Sequence, residues 1–378
     1  MKETMKPRAR DLHIQFGQLQ PGRLNAITDV PGVRVGHCDI RGRTAAGRDI
    51  RTGVTLIEPR PGSTSRQPCF AGVHILNGNG DATGLEWIRE AGLLTSPIAF
   101  TNTHSVGVVR DGLIALDRKD QPEDGRLYWN MPVVLETFDG LLNDINGFHV
   151  HPEHVAEALD NAVGGPVTEG AVGGGSGMIC HEFKGGIGTA SRCLSEEQGG
   201  WTVGAIVQAN HGVRQELRVD GYPVGRYLEP VDSPFLRARL PHPGMGSIVV
   251  CLATDAPLLP HQCTRLAQRA SIGLARTGGG TEDHSGDLFV AFATGNQQLP
   301  APAYEAKGAP TCNNLRMVNN DHISALFLAA AEAVEEAIIN AMLASPTTEG
   351  NGHRVPGLDV ESLTRALHQA GWPGAKPA

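Results

Sequence analysis

The chain has 378 residues, 40% hydrophobic and 19% charged, which fits a globular protein with a sizeable core in one large domain or two. Its formal net charge is −8 and it has no long basic run, which argues against nucleic acid as a partner. No apolar run approaches the ~20 residues that span a bilayer, and the basic start, Met1 to Arg10, leads into no apolar segment, so neither a membrane partner nor a secretory signal is expected.

Met1 to Leu24 is mostly polar and reads as a surface arm. Strands are predicted at Val33–Cys38, at Gly53–Ile57, which Pro59 and Pro61 end, and at Ala71–Leu76. The third runs into Asn77-Gly78-Asn79-Gly80-Asp81, a dense turn signal. A short helix over Glu86–Leu94 precedes a strand at Pro97–Thr103 and a helix at Val106–Asp117. Pro132–Thr137 is a further strand, with Glu136 at its carboxyl end, and His151–Val163 a helix with Pro152 in its first turn.

Gly173-Gly174-Gly175-Ser176-Gly177 lacks the ending of a phosphate-binding loop and reads as a tight turn between strands. Thr202–Val207 is a strand leading into a turn that holds Asn210. Arg214 to Leu240, with prolines at 223, 230 and 234, reads as a long exposed connection. A strand then reaches Ala253, a helix spans about Pro260–Arg276, and Asp287–Ala293 is a strand expected antiparallel to the one before. Asn320–Ala344 is the longest helix, stopped by Pro346, and Asp359–Ala370 adds a short one. The mixture of strands and helices along one chain suits an α/β sandwich of two sheets between helical layers.

Chemistry concentrates around Pro243-Gly244-Met245-Gly246-Ser247. A glycine-rich turn runs directly into a serine that opens an apolar strand. That placement suits a self-cleaving precursor: the Ser247 hydroxyl attacks the Gly246 carbonyl, and the α-amine so freed serves as general base. An ordinary turn before a strand accounts for the same residues. Ser285-Gly286-Asp287 places a hydroxyl and a carboxylate on either side of a glycine at a strand start, where both can face one pocket; a capping or turn pair is the alternative. Asn210 can aim a carboxamide NH₂ at a developing oxyanion or bond its own turn. Glu136 can pair with a substrate ammonium or lie at the surface. His149, His151, Glu153 and His154 fit no zinc spacing, so no metal is expected. Seven cysteines without CxxC spacing fit free thiols in a reducing compartment, with the cytoplasm as the expected location.

Pro243–Ile248 followed by Ser285-Gly286-Asp287 resembles the DmpA-type aminopeptidases, the L-aminopeptidase/D-esterases and β-aminopeptidases. Asn25–Val33, Arg51–Thr55, Glu136–Gly140 and Val207–Asn210 match in the same order, so the resemblance runs over nearly the whole chain. It implies a four-layer αββα sandwich forming a single domain, self-cleaved into an α-chain of residues 1–246 and a β-chain of residues 247–378. It implies Ser247 as nucleophile, Asn210 as oxyanion donor, and Ser285 bonded to the nucleophile or its amine. Asp287 would help set the protonation of that amine, Glu136 would take the substrate's ammonium, and Phe138 and Gly286 would wall the pocket. Substrates would be small peptides, amides or esters with a free amine, built on D- or L-Ala/Gly-like or β-amino acids. No cofactor is implied, and the assembly would be a homo-oligomer, a tetramer, of αβ heterodimers. Two alternatives stay open: an acyltransferase of the ornithine acetyltransferase type, which carries threonine where this chain has Ser247, and a non-enzymatic binding protein that kept the fold.

Overall fold

The computed structural model describes residues 6–121, 128–230, 246–302 and 309–374. Its strands are β1 (Arg34–Arg43), β2 (Asp49–Glu58), β3 (Cys69–Gly78), β4 (Ala82–Thr83), β5 (Leu93–Leu94), β6 (Ile98–Asn102), β7 (Val133–Thr137), β8 (Ile179–Cys180), β9 (Phe183–Lys184), β10 (Gly186–Cys193), β11 (Thr202–Asn210), β12 (Ser247–Thr254), β13 (Gly286–Ala293), β14 (Thr348–Gly350) and β15 (His353–Val355). Its α-helices are α1 (Leu85–Ala91), α2 (Val106–Lys119), α3 (Pro152–Asp160), α4 (Pro260–Ala267), α5 (Ala270–Thr277), α6 (Ser324–Ala344) and α7 (Val360–Gln369).

Two sheets carry the fold. One has six strands in the order β10-β11-β12-β13-β3-β5, the other five in the order β1-β2-β6-β7-β4. The sequence of β12 explains the layering. Ile248, Val250 and Leu252 face one core and Val249, Cys251 and Ala253 face another. A strand apolar on both faces must be covered on both. The first core lies beneath α4, α5 and α6; the second fills the space between the sheets, where Ile57, Ile98, Phe100 and Leu135 of the opposite sheet meet it. A third core packs α2 and α3 on the outer face of the five-stranded sheet. The layers therefore run αββα, as expected.

Several local expectations need correction. β13 runs parallel to β12, with Ser247 opposite Gly286, not antiparallel. The chain between them forms α4 and α5, and parallel neighbours require such a crossover. That helical stretch is broken at Gln268–Arg269 into two. Of the 86–94 helix, Leu93 and Leu94 instead form an edge strand against β3.

The N-terminal arm is not a surface arm, since Ala9, Ile14 and Phe16 are fully buried in the helix-side core. Arg8 pairs with Glu169 at 2.8 Å and Arg10 with Glu336 at 3.0 Å. The connection after Arg214 buries Leu217, Val219, Val224 and Leu228 in the same core. Residues 231–245, which include the remainder of that connection and Pro243-Gly244-Met245, lie outside the described residues. Among the described residues no helix is long and apolar enough to cross a membrane.

Candidate active site

The three middle strands of the six-stranded sheet end together, and their ends set the geometry. Ser247 is the first residue of β12. Across the antiparallel β11–β12 pair its register partner is Asn210, and across the parallel β12–β13 pair it is Gly286. Asn210 is thus the last residue of its strand, not part of the following turn. Directly opposed side chains lie ~4.5–5.5 Å apart at Cβ, so the hydroxyl and the carboxamide share one face.

Hydrogen bonds fix both groups. The Gly286 amide donates to Ser247 Oγ at 3.0 Å. Asn210 Oδ1 accepts the Ile179 amide at 2.7 Å, and its Nδ2 donates to the Phe138 carbonyl at 3.0 Å. An oxygen that accepts an N–H identifies the other end as the NH₂, which has two hydrogens. One goes to Phe138 and leaves the second for a ligand. Gly246 packs so close that an added Cβ would overlap the Asn210 carbonyl oxygen, so only glycine fits there.

Ser285 Oγ donates to Asp287 Oδ1 at 2.6 Å. Asp287 is 1% exposed, and its Oδ2 has no hydrogen-bond partner among the described residues. Burial pushes its carboxyl up to about 6, against the opposing pull of the Ser285 hydroxyl and the Ile248 amide. Asp287 is the register partner of Ile248, the residue after Ser247, across the parallel β12–β13 pair.

Glu136 is buried rather than at the surface. Its Oε1 accepts the Asp81 amide at 2.8 Å and its Oε2 accepts the Thr103 hydroxyl. Burial raises its pKa while those two bonds oppose the rise. The Asn79–Asp81 turn after β3 bridges Glu136 and Gly286, whose amide bonds Ser247. A Cβ on Gly80 would lie 3.1 Å from Glu136 Oε1 and 3.4 Å from the Gly286 Cα. Beyond the turn lies a cavity of about 420 Å³ lined by Ile75, Asp81, Ala82, Trp87, Met131 and Leu288, among others.

Phe138 presents a half-exposed ring and contributes its carbonyl to Asn210. The 281–284 turn contributes backbone: Asn77 Nδ2 donates to the Glu282 and Asp283 carbonyls at 3.1 and 2.9 Å, and Asn79 Nδ2 to that of His284 at 2.7 Å. The 149–154 cluster does not gather at one point. His149 pairs with Asp144, and His154 Nδ1 accepts the His151 amide at the start of α3. Gly173–Gly177 forms a buried single turn against β2 and β6, closed to a phosphate.

Thr103, the Ile179 amide and the buried Asp139 were not singled out by sequence. Nor was the buried group of Cys180, His181 and His211, whose ligand-type atoms lie within 4.8 Å of one another. Burial lowers both imidazole pKa values, which keeps the rings neutral, and they meet edge to face at 5.2 Å.

The chain is similar to known proteins along nearly its whole length. The sequence profile of peptidase family S58 matches residues 25–355. The β-peptidyl aminopeptidase BapA of Sphingosinicella microcystinivorans is 46% identical over 374 residues, covering 96% of this chain and 92% of the relative. Its namesake from Sphingosinicella xenopeptidilytica is 40% identical over 379 residues, covering 96% and 91%. Among solved structures, a β-aminopeptidase from Burkholderia sp. superposes with a TM-score of 0.91 at 65% identity, over 98% of this chain and all of its own. The L-aminopeptidase D-Ala-esterase/amidase of Ochrobactrum anthropi, described as a variant of the Ntn hydrolase fold, superposes with a TM-score of 0.87 at 44% identity, over 97% and 99%.

Proposed function

Because the chain belongs to peptidase family S58 and is a serine aminopeptidase of the hydrolase class, we propose that Ser247 is its nucleophile and that the chain arms it by cutting itself before that residue. The observation that carries this reading is the position of Ser247: first residue of a central strand, between the Asn210 carboxamide and the Gly286 amide.

In processing, Ser247 Oγ adds to the Gly246 carbonyl carbon and the peptide C–N bond breaks. The nitrogen takes a proton to become the free α-amine of residue 247, and Gly246 is left as an ester on Oγ. Water hydrolyses that ester. The chain becomes an α-chain of residues 1–246 and a β-chain of residues 247–378, still joined through one core.

In turnover, the Ser247 α-amine takes the hydroxyl proton as Oγ attacks the substrate carbonyl. The free N–H of Asn210 Nδ2 meets the developing oxyanion. Glu136 binds the substrate's ammonium, and its raised pKa reflects a buried carboxylate short of the cation it would pair with. The leaving amine or alcohol takes the proton, and water releases the acyl group. The cavity reached past Gly80 and Asp81, which touch Glu136, gives room for the side chain of the released residue; its lining mixes apolar Ile75, Trp87, Met131 and Leu288 with charged Asp81, Glu86 and Arg89.

The relatives named above are β-peptidyl aminopeptidases, a β-aminopeptidase and an L-aminopeptidase D-Ala-esterase/amidase. We place this chain with the β-aminopeptidases, with β-amino acids at the N-terminus preferred over α-amino acids. A panel of p-nitroanilides of β-homoalanine, β-homoleucine, L-Ala and D-Ala tests it. Higher kcat/KM on the β-amino compounds supports the assignment; preference for L-Ala or D-Ala overturns it. The two Sphingosinicella relatives are aminopeptidases, which favours hydrolysis over the acyltransferase alternative.

A further inference from the structure

Lys184 is a fully buried lysine with no part in the chemistry above. An ammonium has three N–H donors, and all three go to carbonyl oxygens: Gly185 at 2.7 Å, Met178 at 2.8 Å and Gly175 at 3.1 Å. Burial lowers its pKa to about 7, yet three carbonyl oxygens converging on Nζ match the three N–H donors of the ammonium; a buried charge is costly, so its position calls for a reason.

The Met178 carbonyl supplies one. It belongs to the same peptide unit as the Ile179 amide, and a trans peptide is planar with its C=O and N–H pointing in opposite directions. The ammonium therefore grips one end of a rigid plate whose other end donates to Asn210 Oδ1 at 2.7 Å. Gly185 N also donates to the Met178 carbonyl, at 2.9 Å. Bonds in such a series polarise one another. A cation on the carbonyl makes the Ile179 N–H a stronger donor, which in turn makes the Asn210 NH₂ a stronger donor.

The surrounding hairpin holds the plate in place. β8 and β9 are joined by His181 and Glu182, both in the left-handed region at φ 49° and 67°. That is the tight hairpin geometry usually given to Asn-Gly. Two bonds to the segment after Asn210 stabilise it: the His181 amide donates to the His211 carbonyl at 2.7 Å, and Glu182 Oε1 accepts the Arg214 amide at 3.2 Å.

We propose that Lys184 is a positioning residue for catalysis: through the Met178–Ile179 peptide it orients and polarises the Asn210 carboxamide for the oxyanion. This rests on the reading of Asn210 as oxyanion donor. Losing such a donor outright costs ~10²–10³ in turnover, and loosening it costs part of that. Lys184→Met should lower kcat about 10- to 100-fold, counted per cleaved site by mass, with KM changed less than about threefold.

A double-mutant cycle with Asn210→Ala is the test. In the Asn210→Ala background, Lys184→Met should cost less than about threefold, because the group it acts on is gone. An equal fold-loss in both backgrounds, or no loss of kcat in the parent, overturns the proposal. If Asn210→Ala alone leaves kcat unchanged, the reading of Asn210 fails instead, which is a separate outcome. Should Lys184→Met not fold, Lys184→Gln retains N–H donors and runs through the same cycle with the same criteria.

Discussion

Asn210 and Ser247 oppose each other as a register pair at the ends of β11 and β12. Their approach is therefore set by a ladder of backbone hydrogen bonds through the middle of the sheet, not by loops. A hydroxyl and a carboxamide held this way are preorganised before any substrate arrives, which is the condition for electrostatic stabilisation of a transition state.

The substrate end makes the first prediction. If Glu136 holds the ammonium, Glu136→Gln should lower kcat/KM about 10- to 100-fold, the worth of one charge-assisted hydrogen bond. It should leave self-cleavage intact, since that step involves no free amine. N-acetylated substrates should be poor for the parent enzyme. Good hydrolysis of N-blocked substrates, measured with acetylated p-nitroanilides, would replace the aminopeptidase site with a general amidase site.

The second concerns the pH dependence of turnover. If the base is the α-amine of Ser247, it must be neutral to take a proton, and its reference pKa is about 7.7–8.0. The rate should rise with pH through that ionisation and then level off. Asp287, with its own carboxyl near 6, is ionised over this range. Its negative charge favours the ammonium and so raises the amine's pKa. Asp287→Asn should therefore move the rising limb to lower pH. A kcat/KM profile with an unmoved limb would mean that the carboxylate does not act on the amine.

Asp139 gives a stability prediction. It is fully buried, accepts from Asn143 Nδ2 at 3.0 Å and has an Oδ2 without a hydrogen-bond partner among the described residues, and burial, opposed by the Asn143 amide and the Thr52 hydroxyl, pushes its pKa up to about 7. The folded protein thus favours the protonated form. Its contribution to stability is fully present below the ordinary value of 3.8 and is lost as pH rises through about 7. While it titrates, the loss is on the order of 1.4 kcal/mol per pH unit. Asp139→Asn should flatten the fall in urea midpoint between about pH 4 and pH 7. An equally steep fall in the variant would remove Asp139 as a source.

Much of this was legible in the sequence because the central strands are apolar on both faces. β11, β12 and β13 stand out as runs whatever their neighbours. Their directions do not, because pairing is a tertiary choice: the parallel β12–β13 register follows from α4 and α5 crossing between them. The arm before Leu24 looked polar because Arg8 and Arg10 find their acids at Glu169 and Glu336, far away in sequence. Asn210, Ser247, Ser285 and Asp287 drew attention in the sequence because glycines mark their surroundings. Thr103 and Lys184 carry no such mark; a lone threonine or lysine declares its role only when its partners are in view.

The central claim is that Ser247 is freed by self-cleavage and then acts as nucleophile. Intact mass and N-terminal sequencing of the purified protein test it most directly. The account predicts two fragments, the second beginning Ser-Ile-Val-Val-Cys, and a Ser247→Ala protein that stays whole and inactive. A single full-length chain with full aminopeptidase activity, or a Ser247→Ala protein that still hydrolyses substrate, would contradict it.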